Sequence, residues 1–220
     1  MLFLLSPSLH AITLHYLETL VGSSVIAADG EIGRVRNFLV DDKSWSIRYL
    51  VVDVGSWLKK KDVILAITAV QEPDWEKKIF HVSLTKEQVR NCPDVDAEKP
   101  VSRQQEIAMR DYWGWMAYWV DKELGWASAP TGVKYPLHTE EDPHLRSAMH
   151  LIGYQVGATV AEMGSLAGFI LDEESWHIGY LDVKGGDWLE SRSVLVPTRW
   201  VKAVSWANRR VKLLHAREEI

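Results

Sequence analysis

Apolar residues in this chain recur at every second position over short stretches, and no segment sustains a long helical period. Val25–Asp29 reads as a short strand, closed by a tight hairpin at Asp29-Gly30, where both turn positions tolerate positive φ. The chain returns through Glu31–Val40, in which Gly33, Val35 and Leu39 share one face at period two. The polar turn Asp41-Asp42-Lys43-Ser44 leads into a strand from Trp45 to Val54. There Leu50 and Val52 point to the core and Val51 to the other face. Val63–Ile67 supplies a fourth strand and Lys78–Ser83 a fifth. Thr85 then caps a helix start, with Gln88 three residues on completing a capping box.

The same pattern returns at a constant offset of 131 residues, without a gap. Leu20–Val89 and Leu151–Ile220 share about 20 identities over about 70 positions, an internal repeat of domain size. Trp45, Trp57 and Trp75 recur as Trp176, Trp188 and Trp206; Gly22, Gly33 and Gly55 recur as Gly153, Gly164 and Gly186. Leu166 and Ile170 repeat Val35 and Leu39, and the turn becomes Asp172-Glu173-Glu174-Ser175. The strand after it, Trp176–Lys184, keeps Leu181 and Val183 for the core and puts Asp182 where the first copy has Val51, a change that suits solvent. Val194–Val196 is ended by Pro197, which cannot donate to a ladder, and Arg210–Leu214 is the last strand. Val160-Ala161 replaces Asp29-Gly30, so the second hairpin turn must differ. Short strands with frequent turns predict an all-β protein of two small antiparallel barrels. The expected organisation is an extension at 1–19, a first barrel at 20–92, a connector at 93–150 and a second barrel at 151–220.

The connector is not a simple tether. Five prolines preclude one continuous helix, while Ser102 with Gln105 starts a helix from about Arg103 to Tyr112. Tyr112, Trp113, Trp115, Tyr118 and Trp119 then crowd the densest aromatic run of the chain. Rings that each bury some 150–250 Å² are expected to pack on the barrels or to anchor a partner. The Leu-rich start of the chain is broken by Pro7, His10 and His15 and falls short of the ~20 apolar residues that span a bilayer. It also lacks a basic start and a clear cleavage site, so it is read as a soluble extension. The single Cys92 forms no internal disulfide and fits a reducing compartment. These readings together place the protein in the cytoplasm, with peripheral contact to the inner membrane left open.

Several of these stretches resemble the PRC-barrel family. They are Asp29-Gly30-Glu31-Ile32-Gly33, Val40-Asp41-Asp42 with Trp45, and Arg48-Tyr49-Leu50-Val51-Val52-Asp53. The likeness runs on through Asn91–Asp96, Lys99–Gln104 and Asp142–Ser147. The family includes the cytoplasmic barrel of the photosynthetic reaction centre H subunit and a ribosomal small-subunit maturation factor. The whole pattern is similar to bacterial proteins with two such barrels and a Trp-rich connector. The resemblance implies PRC-type barrels and a non-enzymatic scaffold or regulatory adaptor that binds another protein, with a membrane-protein complex at its cytoplasmic face as one setting. The alternatives are a ribosome- or RNA-associated factor, or a binder of a small molecule or metal in a cleft between the barrels.

Chemistry-bearing clusters are sparse. His138-Thr139-Glu140-Glu141-Asp142-Pro143-His144, with His150 nearby, pairs imidazole with carboxylate but at no helical ligand spacing, so a solvated linker is the expected reading. The acidic turns lack the Gly-kinked ligand series of a calcium loop. Lys59-Lys60-Lys61, Lys77-Lys78 and Arg209-Arg210 lie near Trp75 and Trp206, yet Glu190-Ser191-Arg192 replaces the lysine triplet in the second copy. With a net charge of −5, nucleic acid is disfavoured as a partner. Cys92 has no partner set for nucleophilic catalysis, and no nucleotide-binding or nucleophile-elbow motif occurs. No catalytic residue, cofactor or metal site is therefore expected. The binding residues proposed are Tyr112, Trp113, Trp115, Tyr118 and Trp119, with homo-oligomerisation open.

Overall fold

A computed structural model describes residues 13–55, 62–71, 73–91, 145–158, 162–185 and 193–214. The aromatic run of the connector, the lysine triplet, Cys92 and the His138–His144 stretch lie outside the described residues.

The strands in chain order are β1 (Leu14–Tyr16), β2 (Ser24–Ala27), β3 (Gly30–Asp41), β4 (Ile47–Asp53), β5 (Asp62–Ala66) and β6 (Ile79–His81). After the short helix α1 (Lys86–Arg90) come β7 (Leu145–Ser147), β8 (Gln155–Gly157), β9 (Glu162–Asp172), β10 (Ile178–Gly185), β11 (Ser193–Pro197), β12 (Val201–Ser205) and β13 (Arg210–Leu213). The protein is all-β with two units, built on two sheets. The first sheet runs β5-β4-β3-β2-β6 with β7 on β3; the second runs β11-β10-β9-β8-β13-β12 with β1 on β9.

The described strands run in open order and do not close into barrels. Nor are they wholly antiparallel, since β2 pairs with β6, and β8 with β13, in parallel. The reason is the connection after β5, which turns through Ile67–Ala69 and carries the chain to the far side of its sheet. Thr198–Trp200 does the same after β11, entered by Pro197 as expected.

Each sheet is completed by a segment from the other end of the chain. One unit holds the residues up to Thr19, Ser44–Ser46 and Ile152 onward; the other holds Leu20–Lys43 and Ile47–Leu151. Strand β1 precedes the first repeat but pairs with β9 of the second, Leu14 opposite Asp172 and Tyr16 opposite Ile170. Strand β7 precedes the second repeat but pairs with β3 of the first, Leu145 opposite Asp41 and Ser147 opposite Leu39. The registers are identical at the offset of 131. The side-chain pairs that fasten them sit at equivalent positions: His15 hydrogen-bonded to Glu173 at 2.8 Å, and an ion pair from Arg146 to Asp42 at 2.6 Å. A residue range read from sequence as a bare N-terminal extension thus contributes a strand to the second unit.

Inside each unit the inner face is apolar: Val35, Phe38, Leu50, Val52 and Leu65 in one, Leu166, Phe169, Leu181, Val183 and Val196 in the other. Val35 and Leu39 do not share a face. The β3–β4 register shifts between Val35 and Asn37, so Val35 pairs with Val52 inside while Leu39 pairs with Tyr49 outside. A matching bulge in β9, paired across from Asp182 and Val183 of β10, separates Leu166 from Ile170. The extra residue of a bulge flips every side chain beyond it, which strict alternation hides. The first hairpin also differs by one residue. Ala27 pairs with Gly30, so Ala28-Asp29 is the link and Gly30, at φ 125°, opens the return strand. Asp29 instead takes the backbone N–H of Lys86 at 2.8 Å, tying the turn to α1, whose capping box forms as expected.

Candidate functional site: the outer face of the second unit

Beyond the bulge, each sheet has an outer face made of matching rows. In the first unit the rows are Ile64–Val51–Asn37 and Ala66–Tyr49–Leu39–Ser147, with Leu145 opposite Asp41 beside them. In the second they are Leu195–Asp182–Gly168 and Pro197–Tyr180–Ile170–Tyr16, with Leu14 opposite Asp172. The two faces differ in burial at their edge strands. In the first unit Leu39, Tyr49, Val51, Ile64, Ala66 and Leu145 form a continuous buried cluster, with Ile64 at 4% exposure and Leu145 at 0%. In the second unit Leu195 is 49% exposed, Leu14 50% and Tyr16 47%, with Tyr180 half-buried between them. Edge-strand positions that are buried in one copy are half exposed in the other, while the Ile170 and Asp182 positions between them are buried in both.

The polar groups on the two faces also differ. In the first unit Asn37 accepts from the backbone N–H of Phe38 at 2.7 Å and of Met149 at 3.2 Å, and donates to Ser147 Oγ at 2.6 Å. The Asn37 side chain is thus neutral with its polar atoms bonded, and the charge further along that face, Asp62, is paired with Arg36 at 2.8 Å. In the second unit the asparagine position is Gly168, and a Cβ there would lie 2.9 Å from Oε2 of Glu18. The Glu18 carboxylate, brought in by the segment carrying β1, fills that space and accepts from the backbone N–H of Phe169 at 2.9 Å. Asp182 stands opposite Gly168, 9% exposed, and its Oδ1 has no hydrogen-bond partner among the described residues. The expectation that Asp182 turns to solvent is thus corrected. It is buried because Gly168, Glu18 and Leu195 crowd its strand position.

Two carboxyl groups therefore share a half-covered apolar face. Burial, with the Asp182 charge adding to it, pushes the Glu18 carboxyl above the ordinary glutamate range, and the bonds to backbone N–H groups only partly offset this. A folded-state value above the unfolded one stabilises the fold fully below the unfolded value, and that stabilisation is lost as pH rises through the folded value. Glu18→Gln keeps an acceptor for Phe169 and offers an N–H to Asp182. We expect it to raise the melting temperature at pH 7, by about 1 kcal/mol of stability. The gap between wild type and variant should narrow as pH falls toward the ordinary glutamate range; a gap independent of pH would refute this account.

Other sequence-flagged groups have local roles. Asp41 and Asp172 accept turn N–H groups of Lys43 and of Glu174 and Ser175. Lys77 pairs with Asp74 at 2.8 Å, Arg209 lies over the Tyr154 ring at 5.6 Å, and Arg210 meets Glu162 at 3.5 Å. Trp75 meets Phe80 edge-on, while its repeat mate Trp206 meets Tyr154. The open face was missed in the sequence because Leu14 and Tyr16 precede the repeat. Only the Val51 to Asp182 change pointed to it.

The family-model comparison covers the first repeat. Residues 12–89 match the family model of the PRC-barrel domain. Over this stretch, about a third of its length, the chain is similar to a PRC-barrel domain. The match begins ahead of β1, so it includes the strand lent to the other unit. A relative from Deinococcus radiodurans, described only as an uncharacterized protein, is 33% identical over 85 residues, 38% of this chain. That stretch is 30% of the relative's own length. PRC-barrel domains are in general protein-interaction or scaffold modules and generally non-catalytic. Among the described residues no helix is long and apolar enough to cross a membrane.

Proposed function

We propose that this PRC-barrel-like protein is a non-enzymatic scaffold or adaptor that docks another protein on the outer face of its second unit. The observation that carries this reading is the contrast between the copies. Leu14, Tyr16 and Leu195 are half exposed where Leu145, Ser147 and Ile64 are buried. Exposed apolar side chains gathered on one sheet face mark interaction sites more often than they mark ordinary monomer surface. The aromatic set Tyr112, Trp113, Trp115, Tyr118 and Trp119 is a second candidate anchor, resting on composition alone. The resemblance to the reaction-centre subunit makes the cytoplasmic face of a membrane-protein complex the first place to look for the partner.

The test compares proteins retained from native extract by the tagged full-length chain and by its Tyr16→Ser/Leu195→Ser variant. Both positions are exposed, so stability should stay within about 0.5 kcal/mol of wild type. A specific partner should be lost by about tenfold or more, a loss of roughly 1.4 kcal/mol. A parallel Trp113→Ala/Trp115→Ala/Trp119→Ala variant reports the connector separately. An unchanged partner set with the outer-face variant would remove that face from the proposal.

A further inference from the structure

Resting on the docking reading above, we propose that the partner places a lysine or arginine side chain on the Glu18–Asp182 pair while its apolar neighbours cover Leu14, Tyr16, Tyr180 and Leu195. The first unit shows what a covered outer face requires. Its equivalent positions are Val51 and Asn37, the one apolar and the other with its polar atoms bonded. The second unit replaces them with two acids, and Asp182 Oδ1 is already out of water with no donor among the described residues. Covering this face with apolar groups alone would strand both carboxyls away from solvent, a large cost for unpaired like charges. A cation supplies the missing donors and cancels that cost, so the occupant must be chemically unlike a purely apolar cover.

The groups facing the pair leave room for this role. On β10 the neighbours along the face are Tyr180 and the exposed Lys184; β11 brings Leu195 and Ser193, and β9 presents Gly168 and Ile170. The segment bearing Glu18 adds Tyr16, while His15 is held by Glu173 at 2.8 Å. Among the described residues Lys184 is bonded to neither acid. The face spans four strands, β11, β10, β9 and β1, or roughly 14 Å at strand spacing, enough for an extended peptide or one helix face.

The experiment selects a displayed random-peptide library on the immobilised full-length chain. Enriched peptides are then titrated against wild type, Asp182→Asn, Glu18→Gln and Tyr16→Ser/Leu195→Ser. Enriched sequences should carry one Arg or Lys among apolar residues. Asp182→Asn should weaken them about tenfold, and replacing the basic residue by norleucine should cost as much on wild type but little more on Asp182→Asn. Peptides that need Tyr16 and Leu195 but ignore Asp182 and lack a basic residue would overturn the cation inference and leave the docking reading standing. Absence of any peptide dependent on Tyr16 and Leu195 would overturn both. Concentration-dependent dimerisation abolished by Tyr16→Ser/Leu195→Ser would assign the face to a second copy and overturn the inference as well.

Discussion

Replacing Gly33 or Gly164 by alanine is expected to cost several kcal/mol and, in a unit this small, to unfold it. A Cβ built on Gly33 falls 2.0 Å from the carbonyl oxygen of Asp53, and one on Gly164 falls 2.0 Å from that of Lys184. Both obstacles are backbone atoms of the paired strand, so no rotamer change relieves the contact. Relief requires parting β3 from β4, or β9 from β10, at the end of the ladder where Arg34 pairs with Asp53 and Gly164 with Gly185. That movement also disturbs the ladder to β2 or β8, because Gly33 pairs with Val25 and Gly164 with Val156. Serine should be as damaging, since the conflict is with the first side-chain carbon. Thermal or urea unfolding of each single variant is the measurement. A loss below about 1 kcal/mol, the ordinary range for a mutation without a special mechanism, would show that the strands can part cheaply.

These glycines were visible in the sequence as a conserved spacing between copies, whereas their reason was not. Much else was legible in the same way. The repeat located both sheets, the inner face followed from Leu50, Val52, Leu181 and Val183, and Thr85 with Gln88 announced the cap of α1. The failures share a physical cause. Alternation predicts a face only until a bulge intervenes, and the bulges near Asn37 and Gly168 reverse the assignment just where the candidate site lies. Strands β1 and β7 are three residues long, too short for any periodicity, and their pairing across the repeats is a tertiary choice. The meaning of Asp182 depends on Gly168 and Glu18, which are close in space and distant in sequence. The aromatic connector, the strongest compositional signal, lies outside the described residues, so its part in binding rests on chemistry alone.

The second large effect is expected at Trp45, and the interest lies in the order of two substitutions. Trp45 is buried, with its ring centroid 6.5 Å from that of Phe169, and its carbonyl accepts from the backbone N–H of Ile178 at 2.8 Å. Removing such a ring should cost about 3–5 kcal/mol through lost contacts and the cavity left behind. Yet Trp45 has φ of 55°, and Trp176 at the equivalent position has the same value, so the turn itself imposes the left-handed conformation. That conformation costs an L-residue roughly 1–2 kcal/mol and costs glycine little. Trp45→Ala loses the ring and keeps the strain; Trp45→Gly loses the ring and relieves it. The glycine variant should therefore unfold at the same temperature as the alanine variant or a higher one, against the usual order in a strand. Trp176 is half-buried, so Trp176→Ala should cost less than Trp45→Ala, while the glycine advantage should persist there. If alanine proves clearly more stable than glycine at both sites, the left-handed turn does not control these positions, and the tryptophans are retained for packing alone.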